Sequence, residues 1–190
     1  MDTLVMTSRI AAFVALLLVS LSACQSPAVN RDPSRLLPTV AQVDLERYLG
    51  RWHEIARFEN SFETDCVGVT ATYGRKPDGT ISVTNRCLLK SLNGEENIAE
   101  GSARVVDTKT NAKLAVTFFW PFEGDYWVIG LSEDYSWVLV GEPAGRYLWI
   151  LARTPQISPE LKAELVGKLD ALGYNTKALH WTLQPVGLSQ

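Results

Sequence analysis

The chain has 190 residues, of which 46% are apolar and 21% charged, and its formal net charge is −3. This length and apolar content suit one ordinary globular domain with a full core. The small net charge, without a stripe of Lys and Arg, argues against nucleic acid as a partner. Six Trp, six Tyr and six Phe indicate a large apolar interior, a pocket, or both.

The N-terminus predicts a signal peptide over residues 1–23. One basic residue, Arg9, precedes an apolar run over residues 10–19, which is shorter than the roughly 20 residues that span a bilayer. The next segment, "LSAC", resembles the lipobox of bacterial lipoproteins. That resemblance implies a lipid on Cys24 and, because Gln25 is not Asp, export to the outer membrane, with the protein on its periplasmic face.

Residues 24–43 contain three Pro and show no hydrophobic periodicity, so the sequence predicts a flexible tether. A folded domain follows over residues 44–185, and a short tail covers residues 186–190. The chain would therefore sit on a membrane through its acyl chains rather than span it.

After Tyr48, the sequence predicts eight strands joined by short connections, which is the pattern of an antiparallel meander. The predicted ranges are 52–58, 67–74, 81–89, 98–106, 114–120, 126–132, 137–142 and 147–153. Because none reads as a charged edge strand, we expect an all-β fold closed into an up-and-down barrel. A barrel of eight strands is just wide enough to hold one small ligand.

One helix is predicted after the barrel. Ser158 suits its N-cap, Pro159 its first turn, and Gly173 the position just past its end. Leucines at 161, 165, 169 and 172 repeat at helical spacing, so this face should pack on the outside of the barrel. Residues 178–184 are expected to form a short ninth strand.

The two remaining cysteines, Cys66 and Cys87, could pair in an oxidising compartment. Strict alternation along the strands would place them on opposite faces. Either Gly68 marks a bulge that resets the alternation, or Cys66 lies in the loop before its strand. The spacing along the hairpin suits a disulfide, but the sequence does not decide whether the two cysteine side chains lie on the same face of the sheet.

The sequence gives little support for catalysis. His53 and His180 are far apart and show no metal-ligand spacing, and no nucleophile-elbow, phosphate-loop or dinucleotide motif is present. His53 and Glu54 are neighbours on one strand and point to opposite faces, so they cannot act on the same substrate atom. We expect no enzyme activity, no cofactor and no metal site.

Three segments in order resemble the lipocalin family. They are "GRW" at Gly50–Trp52, "SEDY" with Asp134 and Tyr135, and Arg153 at the end of the last barrel strand. The most similar branch contains bacterial outer-membrane lipocalins and apolipoprotein D, although His53 replaces the Tyr that usually follows the Trp. The resemblance implies that Arg153 lies across the ring of Trp52 and closes the barrel floor, with the "SEDY" turn at the same end.

The candidate ligand-binding residues come from alternation and from the resemblance. If Trp52 faces inward, Glu54 and the next alternate residues share its face, and the resemblance adds side chains on other strands. The set is Glu54, Ala56, Phe58, Tyr73, Asn85, Phe118, Trp127 and Ile129. These side chains could instead fill the barrel as an ordinary core.

The resemblance implies a fatty acid or a lysophospholipid as ligand, for lipid storage, transport or repair at the cell envelope. Two alternatives remain open: an enzyme of the same fold that acts on a lipid or carotenoid, and a binder of haem or pigment. A haem binder would need His180 to face the interior. The mouth loops carry Phe62, Trp120 and Phe122, which either pack locally or form an apolar lip that touches a membrane or guides a lipid tail.

Overall fold

The computed structural model describes residues 28–186, which form a closed barrel of eight antiparallel strands with one helix and a ninth strand outside. The strands are β1 (Gly50–Phe58), β2 (Cys66–Arg75), β3 (Ile81–Leu89), β4 (Glu96–Val105), β5 (Lys113–Phe119), β6 (Phe122–Leu131), β7 (Trp137–Gly141) and β8 (Leu148–Ala152). Each strand pairs with the next, and β1 closes the barrel by pairing with both β2 and β8. The predicted up-and-down barrel is confirmed. The predicted signal peptide and Cys24 lie outside the described residues.

The helices cover the outside and the floor of the barrel. The four-residue helix α1 (Leu45–Tyr48) precedes β1, and α2 (Pro159–Ala171) begins at the predicted N-cap Ser158. A 3₁₀ helix (Thr176–Ala178) then leads into β9 (Leu179–Trp181), which pairs with β1. Within residues 28–186, no helix is both long and apolar enough to cross a membrane.

Two apolar clusters divide the core. The interior cluster surrounds Trp52 at the floor and includes Tyr73, Val83 and Leu151. The helix-side layer lies between the barrel wall and α2, where Leu165 and Leu169 are fully buried. Strands β1, β6, β7 and β8 contribute to both clusters, because alternate side chains point to opposite faces.

Residues 30–43, here called the N-terminal arm, are held against the barrel. Arg31 is buried, and its guanidinium donates to the carbonyl oxygens of Arg35, Leu36 and Leu172. The Val40 backbone N–H donates to the carbonyl of Val128. The predicted flexibility of the tether is thus corrected for this part of it, because the arm satisfies its polar groups on the domain.

A disulfide joins Cys66 at the start of β2 to Cys87 near the end of β3, with 5.4 Å between the two Cα atoms. The pairing of β2 with β3 shifts register between Val67 and Thr70, and Gly68 there has φ +59°. A positive φ favours glycine, and the extra residue of a bulge resets the facing of the strand. The pairing is confirmed, and the bulge is the reason that it is possible.

Candidate ligand-binding site

The floor of the barrel is closed by a stacked arginine. Trp52 is fully buried, and the Arg153 guanidinium carbon lies 3.8 Å from the centre of its indole ring. Arg153 also donates to the carbonyl oxygens of Arg51 at 2.8 Å and Arg47 at 2.7 Å. This is the arrangement that the resemblance implied, and the Arg153 guanidinium finds hydrogen-bond acceptors there.

The other motif residues surround this stack. The Tyr135 hydroxyl accepts from the backbone N–H of Asp44 at 2.8 Å, and the Arg47 guanidinium lies 4.1 Å from the Tyr135 ring centre. In the turn between β6 and β7, the Ser136 backbone N–H donates to Asp134 Oδ1 at 3.0 Å, and hydrogen bonds from Ser136 and Ser132 lower the pKa of Asp134. Gly50, the first residue of β1, lies beside Arg153 and has φ +90°. Any residue with a side chain would be strained in this conformation.

A cavity of about 580 Å³ occupies the barrel beyond this floor, a volume typical of small-molecule sites. Four of the predicted ligand-binding residues line it: Glu54, Tyr73, Asn85 and Phe118. Its wall is mostly apolar. The apolar lining includes Val69, Ala71, Val83, Val116, Trp149 and Leu151. The barrel is therefore not packed shut by its aromatic residues, which was the alternative to a ligand site.

Two of the predicted residues on β1 lie elsewhere. Ala56 and Phe58 are buried in the helix-side layer, against α2 and Tyr174. The pairing of β1 with β8 shifts register between Glu54 and Ala56. Strict alternation from Trp52 therefore holds only as far as Glu54, and the predicted inward facing of Ala56 and Phe58 is corrected.

The two predicted residues on β6 also face outward. Tyr126 and Val128 point into the barrel, so Trp127 lies outside, where the Lys113 ammonium sits 4.0 Å from its ring centre. Ile129 belongs to the helix-side layer. The side chains of residues 126–129 alternate between the two faces, ahead of a register shift between Val128 and Gly130, and the expectation was wrong because it placed Trp127 rather than Tyr126 on the inner face.

Three tyrosines form a hydroxyl cluster on the floor side of the cavity. The Tyr126 hydroxyl lies 2.7 Å from that of Tyr48 and 2.9 Å from that of Tyr73. Burial raises the pKa of Tyr73 to about 12 and that of Tyr126 well above its ordinary range, so the cluster stays neutral. The three hydroxyls carry three protons, and the two hydrogen bonds within the cluster use two of them. The third proton remains free to donate, and Tyr73 and Tyr126 both line the cavity.

A buried charge cluster lies on β1 and the β1–β2 loop, nearer the mouth than the tyrosines. Arg57 donates to Glu54 Oε1 at 2.8 Å and to the carbonyl oxygen of Glu63 at 2.9 Å. Thr182 also donates to Glu54 Oε1, and Trp149 donates to Glu63 Oε2 at 3.2 Å. Two carboxyl groups thus share one guanidinium in a site that is shielded from water.

This arrangement favours a proton on Glu54. Burial, and after it the Glu63 carboxylate, raise the pKa of its carboxyl, Arg57 and Thr182 lower it in part, and the net pKa is about 8. Both hydrogen bonds reach Oε1, so Oε2 remains to carry the proton or to meet a ligand. The sequence reasoning missed Arg57, Glu63, Tyr126 and Trp149. The β1 bulge that turns Arg57 inward has no signature in the sequence.

Neither histidine faces the cavity. His180 lies on β9, and its Nδ1 is 2.7 Å from Glu59 Oε1. His53 neighbours Glu54 on β1 and is not among the lining residues. The condition for a haem site, that His180 face the interior, is not met.

Comparisons with known proteins agree with this geometry. The family model described as a lipocalin-like domain matches residues 43–184. The chain belongs to the lipocalin family. This lipocalin is 41% identical over 166 residues to the protein named outer membrane lipoprotein Blc of Escherichia coli, with 86% of this chain and 89% of that protein covered.

One further relative and one solved structure cover most of the same domain. Bovine apolipoprotein D is 34% identical over 130 residues, which cover 65% of this chain and 67% of that protein. The solved structure of insecticyanin from the tobacco hornworm Manduca sexta superposes with a TM-score of 0.65 at 19% identity, covering 80% of this chain and 86% of the other. That last likeness shows the fold alone.

Proposed function

We propose that this lipocalin binds a fatty acid or a lysophospholipid in its barrel, for lipid storage, transport or repair at the cell envelope. The cavity of about 580 Å³, with its mostly apolar wall, is the observation that carries the proposal. Burying an acyl chain there would contribute about 25 cal/mol per Å² of apolar surface. A small number of polar groups would orient the head.

The charges in the cavity favour the lysophospholipid over the fatty acid. The acidic lining residues are Glu54, Glu63, Glu123, Asp125 and Glu142. Glu54 favours its protonated form, and Glu63 and Glu123 pair with Arg57 and Arg104, so the excess of negative charge rests on Asp125 and Glu142. Arg86 is the one basic residue in the described lining, and it pairs with Glu96. A free fatty acid is a net anion and would be repelled by this excess of negative charge, whereas a zwitterionic lysophospholipid head has no net charge and its ammonium group would be attracted by it.

We propose the outer membrane as the site of action. Relatives that carry the name outer membrane lipoprotein Blc support a lipid on Cys24 and a domain at the periplasmic face. Binding rather than turnover is proposed because the described lining offers carboxyls, hydroxyls and one Arg, and neither a histidine nor a free thiol. Release of fatty acid from a bound lysophospholipid would overturn that part.

Native mass spectrometry tests the proposal first. Protein purified without added lipid should carry one amphiphile per chain, which extraction and fragmentation would identify. Titration with two ligands of equal acyl length, a free fatty acid and an amine-bearing lysophospholipid, should then show tighter binding of the second. Tighter binding of the fatty acid would contradict the charge argument but leave the cavity as the site.

The variant Ala71→Phe provides the control for the location. Ala71 lines the cavity, so a phenyl ring there would occupy ligand space without disturbing the helix-side layer. We expect affinity to fall at least about tenfold, since at least 1.4 kcal/mol of apolar burial would be lost. Unchanged affinity would show that the ligand binds elsewhere.

A further inference from the structure

The most exposed apolar side chains of the barrel lie at its mouth. The aromatic lip consists of Phe62, Phe119, Trp120 and Phe122. Residues 119, 120 and 122 form the tip of the β5–β6 hairpin and are 81%, 88% and 77% exposed, and Phe62 of the β1–β2 loop is 59% exposed. Phe62, Phe119 and Phe122 also line the cavity. Such a patch marks a surface that meets another apolar partner.

The chain enters the domain at the same end. The backbone N–H of Asn30 donates to the carbonyl of Gly145 at 2.8 Å, and Gly145 belongs to the β7–β8 loop at the mouth. Gly145 has φ +72°, and a Cβ there would lie 2.6 Å from Arg31 Cβ, so the contact is close. The buried guanidinium of Arg31 fixes this point of entry.

The length of chain before Asn30 limits where a lipid anchor can lie. Cys24 is six residues earlier, and a fully extended chain covers about 3.3–3.6 Å per residue, or about 20 Å in all. Strand β2, with ten residues, is about 33 Å long, and a strand tilt of about 40° leaves about 25 Å between the planes of the mouth and the floor. An anchor at Cys24 therefore reaches the plane of the mouth but not the plane of the floor.

We propose that the mouth of the barrel faces the membrane that holds the anchor, with the aromatic lip in contact with the lipid surface. The inference rests on the lipid at Cys24, which is part of the proposed function. A lipid molecule leaving the membrane would then pass the lip and enter the cavity without crossing water. The short connection from Cys24 to Asn30 determines this orientation.

The charge of the mouth loops selects the kind of surface. Acidic residues far outnumber basic ones in the loops that carry the lip and in their neighbours. The acidic residues are Glu59, Glu63, Asp65, Glu95, Glu96, Glu123, Asp125 and Glu142, and the basic ones are Lys90 and Arg146. Even with Arg57, Arg86 and Arg104 paired to some of them, negative charge remains in excess. Contact should therefore be driven by the aromatic residues and should favour zwitterionic over anionic lipid.

A depth measurement on the full-length lipoprotein tests this orientation. With Cys24 acylated and Cys66 bonded to Cys87, a cysteine introduced by Trp120→Cys is the free thiol for a polarity-sensitive dye. Lys109→Cys, in the exposed turn between β4 and β5 at the floor, is the matched control. The labelled proteins are placed in zwitterionic vesicles that contain nitroxide-bearing lipid.

We expect strong quenching of the dye at position 120 and none at position 109. Anionic lipid added to the vesicles should weaken the quenching at 120. The pair Phe119→Ser and Phe122→Ser should remove it, whereas Leu36→Ser, which changes a side chain that is 89% exposed on the N-terminal arm, should leave it intact.

Three results would overturn the orientation: equal quenching at both positions, quenching at neither, or a blue-shifted dye at 120 without quenching. The last would mean that a second protein chain covers the lip. Absence of an acyl chain on Cys24 by mass spectrometry would also overturn it. Lysophospholipid binding is measured on the same samples. If binding persists without quenching at 120, the orientation fails alone, and if quenching persists without binding, the proposed function fails alone.

Discussion

The floor and the mouth of the barrel differ in the burial and hydrogen bonding of their polar and aromatic side chains. At the floor, Arg153 stacks on a fully buried Trp52 and donates to several carbonyl oxygens. At the mouth, two carboxyl groups share Arg57, and aromatic side chains stand exposed. Among the described residues, five buried side-chain atoms find no hydrogen-bond partner: Arg57 Nε and Asn85 Oδ1 at the charge cluster and the cavity wall, and His53 Nδ1, the Tyr174 hydroxyl and Gln184 Oε1 outside the cavity lining. This difference indicates that the closed end contributes stability, whereas the open end retains exposed aromatic side chains and unpartnered polar atoms that a ligand can contact.

The largest effect is expected from opening the floor. Arg153→Ala should lower the free energy of unfolding by about 3 kcal/mol, because a cation–π contact of about 0.5–2 kcal/mol and several hydrogen bonds of about 1 kcal/mol are lost. Ligand affinity should change much less. Denaturant unfolding and ligand titration measure both. Arg51→Ala, at an exposed neighbouring side chain, is the control, and equal unfolding midpoints for Arg153→Ala and wild type would refute the role of the floor.

A substitution in the helix-side layer sharpens the comparison between the two faces of β1. Ala56 is fully buried there, so Ala56→Phe should overpack the layer and cost about 2 kcal/mol of stability. Affinity should stay within about twofold of wild type, since less than 0.5 kcal/mol of binding free energy is involved. Ala71→Phe should show the reverse. If Ala56→Phe lost affinity without losing stability, residue 56 would face the cavity, as the sequence predicted, and not the helix-side layer.

The charge cluster at the mouth predicts a pH dependence. The pKa of Glu54 rises from its ordinary value of 4.5 to about 8 on folding, so the folded state binds the proton more tightly than the unfolded state. Its contribution to stability is therefore fully present below about pH 4.5 and is lost as the pH rises towards about 8. We expect the free energy of unfolding of wild type to fall over this window relative to that of Glu54→Gln. Parallel stability curves for the two proteins would contradict the raised pKa.

The smallest effect is expected at the lip. Phe62 packs on Tyr147 and Trp149 at the cavity mouth, with ring centroids 5.6 and 6.5 Å away. Phe62→Ser should leave stability within about 0.5 kcal/mol, as for most exposed positions. It should weaken ligand binding about fivefold, which corresponds to about 1 kcal/mol. A loss of stability as large as that of Arg153→Ala would erase the distinction between the two ends.

The floor could be predicted from the sequence because its parts are local motifs at the ends of strands. The "GRW" and "SEDY" segments and Arg153 keep their relation whatever happens along the barrel wall. The cavity wall was only half predictable. Facing depends on an unbroken alternation, and the register shift after Glu54 reverses it without any Gly or Pro to mark the place.

The N-terminal arm and the charge cluster show a second limit. Arg31 lies in a segment of low periodicity, and its buried state depends on the carbonyl of Leu172, 141 residues away. Glu54 and Glu63 likewise become a coupled pair only when a mouth loop folds back over the barrel. Contacts of this kind join distant positions through single polar atoms, which leave no pattern in the sequence.

Photo-crosslinking tests the central claim, that the cavity holds the acyl chain of a lipid, most directly. A lysophospholipid with a photoreactive group at the end of its acyl chain would be bound, irradiated and mapped by peptide mass spectrometry. We predict adducts on the inward-facing lining, at Val83, Val116, Phe118 or Leu151. Adducts on the helix-side layer, at Phe58 or Ile129, or spread over the outer surface would contradict the account.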